Sequence, residues 1–246
     1  EESKVIMSYK TYLTGGAVRD QLLGLKSKDL DYVFVFDNPK QFTSAEEAFQ
    51  EMERIIIADG GEIYLSTPDC YTIRYKDGVT GEAKDVVLAR KETSYIPGTR
   101  KPVVELGTLW DDMIRRDAKI NAMAIDENGK IVDYFGGKED LKNMILDTPA
   151  DPIITFNLDQ LRLIRFFRFM VTKNFRTTDE ILDIITNFDY VNNFKHVSEE
   201  RIREELYKCF KHDTYKTLTL LASFPKLENY IFTKTNLWLM PTLKDK

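Results

Sequence analysis

Gly15 and Gly16 close one apolar segment and open a short helical one, and Asp29 and Asp31 follow just before Tyr32-Val33-Phe34-Val35-Phe36. Bare glycines let backbone N–H groups approach an anion, and a helix N-terminus adds a favourable dipole. Residues two apart on a strand share a face, so Asp29 and Asp31 are expected to aim their carboxylates at one spot. Two hard oxygen ligands beside a phosphate cradle suit magnesium, which keeps several waters and takes few protein carboxylates. Together these residue types can perform nucleotidyl transfer. Taken singly, each has a plainer reading, a turn for the glycines and a solvated edge for the aspartates.

Further chemistry-bearing residues lie downstream. Asp85, within Ala83-Lys84-Asp85-Val86-Val87, is a carboxylate in a strand-like segment, where an unpartnered charge is costly to bury. It is either a third acidic group or base beside Asp29 and Asp31, or an edge-strand residue facing solvent. Arg116 and Asn121 suit a triphosphate and a ribose hydroxyl, because a guanidinium grips phosphate oxygens as a fork and an amide both donates and accepts. Asp117 is placed to orient one of the arginines; the alternative is a helix-end ion cluster of little energetic weight. Asp159 and Arg162 are three apart and are expected on one helical face, where an Asp-paired Arg can read a base edge. Ser198 reads as the N-cap of a helix that carries Arg201, which faces either a nucleotide pocket or a packing joint.

These residues need a scaffold of two kinds. Residues 10–14 and 31–36 read as strands around a helix near 17–24, and 44–58 as an amphipathic helix capped by Ser44. Strand-like segments follow at 62–66, 71–76 and 84–89, separated by glycine- and proline-bearing turns. Lys91 to Lys101 reads as a polar loop, and within Arg90 to Pro102 either Arg90 or Arg100 can swing toward a ligand. Trp110 to Ala122 reads as helix, with short strands after it at 122–126 and 131–133. From Pro149-Ala150-Asp151-Pro152 the pattern changes: 156–172, 178–187, 198–210 and 213–223 all carry helical periodicity, with no strand between them. The expected fold is α+β, a mixed-sheet head over 1–150 and a helical segment over 151–246.

The chain has 246 residues, 43% apolar and 30% charged, as in a globular protein with an ample core. No apolar run is long enough for a transmembrane helix, so no membrane partner is expected. Only two histidines and two distant cysteines, Cys70 and Cys209, leave little for zinc chemistry, histidine triads or a disulfide framework. Their number points to a reducing, intracellular home, expected to be the cytoplasm with an organelle as the alternative. A net charge of −5 argues against generic nucleic-acid affinity, so RNA contact must come from local clusters such as Arg165, Arg168, Lys173 and Arg176. The first residue is Glu1 rather than a methionine, which points to a trimmed, processed or incompletely represented N-terminus.

The motif order resembles the nucleotidyltransferase superfamily. GGAVRD (15–20), DLD (29–31) and RRDAKINAMA (115–124) resemble the class II tRNA nucleotidyltransferases, or CCA-adding enzymes, and the bacterial poly(A) polymerases. Leu158-Asp159-Gln160-Leu161-Arg162 is similar to that family's EDxxR motif, with Leu158 where the family has Glu. Glu200-Arg201-Ile202 through Glu205-Leu206 resembles its neck helix. The resemblance implies a nucleotidyltransferase head, then a helical neck and a partial body. It implies addition of CMP and AMP, from CTP and ATP, to the 3′ end of tRNA or another RNA. Asp29, Asp31 and Asp85 would be catalytic, with two Mg2+ ions held by Asp29 and Asp31. Gly15, Gly16, Arg19, Arg116, Asp117, Asn121, Asp159, Arg162, Arg165 and Arg201 would bind the nucleotide. Poly(A) addition, or a non-catalytic nucleotide- or RNA-binding role, stands as the alternative. Family members usually continue beyond the neck, whereas only a short segment follows Phe210 here. That implies a compact enzyme, such as a reduced viral one acting in host cytoplasm, or a fragment.

Overall fold

A computed structural model describes residues 7–95, 102–194 and 197–234. The chain divides into two compact units, Glu1–Glu139 and Asp140–Lys246.

The first unit runs β1 (Tyr9–Thr14), α1 (Gly16–Leu22), β2 (Asp31–Phe36), α2 (Ala45–Ala58), β3 (Glu62–Thr67), β4 (Thr72–Lys76) and β5 (Ala83–Leu88). It continues through β6 (Arg90–Tyr95), β7 (Pro102–Leu106), α3 (Leu109–Ile114), β8 (Ala124–Ile125) and β9 (Ile131–Val132), and α4 (Gly137–Asn143) runs across the division at Glu139. A seven-stranded mixed sheet is ordered β3-β4-β5-β2-β1-β8-β9. The β2–β5 pair is parallel, and the other neighbours are antiparallel.

Alternation sorts the sheet's two faces. Phe34 and Phe36 of β2, Ile73 of β4, and Val86 and Leu88 of β5 pack under the apolar stripe Ala48, Phe49, Met52, Ile55 and Ile56 of α2. Ser44 starts that helix by accepting the Glu47 N–H at 3.1 Å, as the capping preference of serine predicts. Val33 turns to the opposite face and packs with Leu109 and Met113 of α3, joined by Tyr12 and Val87. Period two then puts Thr14, Asp31 and Asp85 on this α3 side.

Two local expectations fail in this unit. The polar stretch from Lys91 is not a loop up to Tyr95: Arg90–Tyr95 pairs with β7 as a separate antiparallel hairpin. The segment containing Arg100 lies outside the described residues. The helix expected to reach Ala122 ends at Ile114. Past it, the Asp117 carboxylate accepts the Ala118 N–H at 2.8 Å, a local bond that competes with helix and leaves only a 3-10 turn at Lys119–Asn121.

The second unit holds β10 (Ile145–Leu146), α5 (Pro152–Leu158), α6 (Leu161–Lys173), β11 (Arg176–Thr177) and α7 (Asp179–Asn187). Then come α8 (Tyr190–Asn193), α9 (Glu199–His212), α10 (Thr214–Ala222) and α11 (Pro225–Asn229). Asp151, Thr178, Ser198 and Asp213 each cap a helix through a side-chain oxygen. The long amphipathic α6 packs along α9 and buries Leu163, Phe166, Phe167 and Met170. The expected single helix over 156–172 is two, broken at Asp159 and Gln160. β10 and β11 also form a short parallel pair, so this unit is not purely helical. Among the described residues, no helix is long and apolar enough to cross a membrane. Cys70 and Cys209 are free thiols, and burial pushes the Cys209 thiol up to about 12.

Candidate nucleotide site

Strand register builds the core of the site. Thr14 of β1 faces Asp31 of β2, Asp31 faces Asp85 of β5, and Asp85 faces Arg74 of β4. Cross-strand partners share a face, so these four side chains form one row across the sheet. The sequence brings none of them closer than eleven residues to the next in the row. Asp29 departs from its expected geometry: β2 begins only at Asp31, and Asp29 sits in the loop before it, where the strand period does not apply. It is still near enough for its charge to act on Asp31. Burial first, then the Asp85 charge, raises the Asp31 carboxyl above its ordinary value; Asp29 adds to this, and Arg116 and Arg74 oppose it.

Two arginines lie against the glycine pair beside this row. Gly15 has φ 70 and ψ −140, a conformation essentially restricted to glycine. A Cβ on Gly15 would stand 3.1 Å from Arg116 Nη1, and one on Gly16 would stand 3.2 Å from Arg19 Nη2. The bare glycines thus make room for two guanidiniums. Arg19 is 8% exposed and donates through Nη1 to Asn121 Oδ1 at 2.8 Å and through Nε to Asp20 at 2.9 Å. Asn121 in turn donates to Asp117 Oδ1 at 3.0 Å. The structure therefore joins Arg19, Asn121 and Asp117 in one chain of bonds.

Arg116 is anchored separately. Its Nη2 donates to Thr14 Oγ1 at 3.1 Å and to Asp112 Oδ2 at 2.9 Å. Arg115 holds the other Asp112 oxygen at 2.6 Å. Asp112 is fully buried; burial alone would raise its pKa, but Arg116 and Arg115 outweigh that and lower it. Sequence reasoning passed over Asp112, although its i,i+3 and i,i+4 spacing to two arginines on a helix end was a readable signal. It also passed over Arg74, whose Nε and Nη2 reach the two Asp85 oxygens at 2.6 and 2.8 Å.

Among the described residues, no group of three or more His, Cys, Asp or Glu is arranged to hold a metal ion. The gathered donors are Asp29 and Asp31, with Asp85 held by Arg74. Accumulated negative charge on exposed carboxylates suits a hard divalent cation that keeps several of its waters.

The second unit has its own polar cluster, differently wired from the expectation. Asp159 has extended backbone at the end of α5 rather than a place on α6, so it and Arg162 do not share a helix. Asp159 Oδ2 accepts from Arg201 at 2.8 Å, and Arg162 Nη1 donates to the Thr155 carbonyl at 3.1 Å. Arg165 lies 3.9 Å from Glu205, and Arg168 and Lys208 also pair with that carboxylate. Glu205 is buried at 4% exposure and was missed, though it sits on the same helical stripe as Ile202, Leu206 and Cys209. A cavity of about 960 Å³ in this unit, lined by Phe175, Leu182 and Tyr215 among others, contains none of the candidate nucleotide residues. Leu158 ends α5 and is exposed.

Residues 11–147 match the family described as the poly A polymerase head domain. The CCA-adding enzyme of Bacillus pumilus is 32% identical over 204 residues, covering 82% of this chain and 46% of that protein. The multifunctional CCA protein of Haemophilus influenzae is 33% identical over 208 residues, covering 81% of this chain and 44% of that protein. Among solved structures, the Bacillus stearothermophilus CCA-adding enzyme in complex with CTP superposes with TM-score 0.72 at 27% identity, over 89% of this chain and 49% of that one. A tRNA nucleotidyltransferase complexed with a primer tRNA and an incoming ATP analog gives TM-score 0.68 at 27% identity, over 91% and 60%. The chain spans about half the length of the curated relatives it matches. With glycine pair, carboxylates and arginines inside a match that covers more than half its length, the chain belongs to the poly A polymerase head domain family, as its motifs indicated.

Proposed function

We propose that this protein is a template-independent RNA nucleotidyltransferase that adds CMP and AMP, from CTP and ATP, to the 3′ end of tRNA. The observation that carries the reading is the row Thr14–Asp31–Asp85, flanked on its β1 side by two guanidiniums seated on Gly15 and Gly16. A triphosphate fits the cradle side. Gly15 and Gly16 leave its approach open, and Arg19 and Arg116 supply fixed positive charge where pyrophosphate leaves. Asn121, already bonded to Arg19 and Asp117, holds an amide toward the sugar with little freedom to rotate. Pre-set geometry is the main catalytic resource for such a transfer.

Asp29 and Asp31 would hold magnesium, expected as two ions. Bound there, they would supply Lewis-acid stabilisation of the attacking hydroxyl and of charge on the leaving group. Asp85 stands next to Asp31 as the third carboxylate. In the second unit, Asp159 and Arg201 present acceptor and donor groups from an exposed ion pair, and with Arg162 and Arg165 they would read a nucleotide base. The similar enzymes bound to CTP, and to a primer tRNA with an ATP analog, support CTP, ATP and tRNA as ligands. A cytoplasmic setting accords with the two free thiols.

The test offers CTP, ATP or both, with magnesium, to tRNAs lacking the whole CCA end, lacking only its terminal A, or complete. Ordered addition of C, C and then A, stopping there, is the expected result. Unlimited A addition on many RNAs would instead assign poly(A) synthesis, and nucleotide binding without incorporation would assign a non-catalytic role.

A further inference from the structure

The row across the sheet has a direction. Its β1 end carries the glycine pair with Arg19 and Arg116, and its β4 end carries Arg74. Displacement at a phosphorus atom runs in line, so the attacking hydroxyl enters opposite the leaving pyrophosphate. With the pyrophosphate on the arginine–glycine side of Asp31, the attacking RNA end must arrive from the Asp85 side. The cation waiting there is Arg74, with its side chain 58% exposed and both donors on the Asp85 carboxylate. This contrasts with Arg116, whose side chain is 20% exposed and whose partner Asp112 is buried.

We infer that Arg74 is the primer-binding arginine: it rests on Asp85 when no RNA is bound and moves to the terminal phosphodiester of the incoming RNA, leaving the Asp85 carboxylate free beside Asp31. The exchange replaces one bidentate carboxylate partner with a phosphate partner of the same fork geometry, so little is lost in making it. An exposed ion pair contributes little to stability, which keeps the resting state easy to leave. RNA arrival is thereby coupled to release of the third carboxylate. This inference rests on the proposed RNA transfer reaction.

The test measures binding apart from turnover. A fluorescent RNA ending in a tRNA-like 3′ strand is titrated by anisotropy against wild type, Arg74→Ala, Arg74→Lys and Asp85→Asn, and steady-state kinetics are run on the same preparations. Arg74→Ala is expected to weaken RNA binding and raise the RNA KM about tenfold, with the CTP KM unchanged and a shallower salt dependence. Arg74→Lys should recover part of the loss. Asp85→Asn should bind RNA more tightly than wild type, because it frees Arg74 from its resting partner, while turning over more slowly. Unchanged RNA affinity in Arg74→Ala, or an Asp85→Asn variant that binds RNA no better than wild type, would overturn the inference. An inactive wild type that still binds RNA through Arg74 would count against the transfer reaction and leave the primer site standing.

Discussion

The two ends of the carboxylate row are held in opposite ways. On the β1 side, Arg116 bonds Thr14 and a fully buried Asp112, and Arg19 is fixed through Asn121 and Asp20. Each guanidinium there has several partners and little solvent. On the β4 side, Arg74 pairs with one carboxylate among the described residues, Asp85, and its side chain is mostly exposed. The first arrangement is over-determined and suits a group that must stay still while charge develops. The second is weakly held and suits a group that exchanges partners. The same contrast recurs in the second unit, between Glu205, buried among Arg165, Arg168 and Lys208, and the exposed Asp159–Arg201 pair.

Substitutions can break this contrast in graded steps. Asp112→Asn removes a fully buried charge from two partly buried guanidiniums and is expected to cost about 3 kcal/mol of stability at neutral pH, read by denaturant unfolding. The native Asp112 pKa is lowered, so its stabilisation is present above the ordinary value of 3.8 and lost as pH falls below it. The gap between wild type and Asp112→Asn should therefore close on acidification.

Arg116→Ala should raise the nucleotide KM about ten- to a hundredfold, the weight of a charge-assisted bond, with a smaller change in RNA affinity. Gly15→Ala forces a side chain into a left-handed backbone and toward Arg116 Nη1 at 3.1 Å. A loss of about 1–3 kcal/mol in thermal or denaturant unfolding is expected, with nucleotide binding weakened in parallel. At the weak end, Arg201→Ala should change stability by less than about 1 kcal/mol, since its side chain is 49% exposed. Its expected signature is a shift in the ratio of CMP to AMP incorporated. A stability loss as large as that of Asp112→Asn would erase the contrast between buried and exposed pairs.

Much of this site was legible along the chain, and its row was not. Gly15, Gly16, Asp31, Arg116 and Asn121 stand in short motifs whose chemistry follows from residue type, and α2 and β2 announce themselves by period and cap. Register across a sheet has no local code, so nothing in Thr72-Ile73-Arg74-Tyr75 marks Arg74 as the partner of Asp85. β6 was hidden because Arg90-Lys91-Glu92-Thr93-Ser94 lacks apolar alternation and pairs only with β7 in a separate hairpin. Asp159 was misplaced because helical periodicity continues across 156–172 while the backbone at Asp159 is extended. That break is what lets its carboxylate meet Arg201 from α9.

In the proposed reaction labour is divided: the β1 side would bind the triphosphate, and Asp29 with Asp31 would hold the metal ions that the transfer needs. The most direct measurement compares CTP binding in metal-free buffer with magnesium-dependent CMP incorporation, in wild type and in Asp29→Ala plus Asp31→Ala. The prediction is CTP affinity close to wild type, with incorporation into a tRNA lacking its CCA end reduced by more than about a hundredfold. Incorporation near the wild-type rate in the double variant would contradict the account.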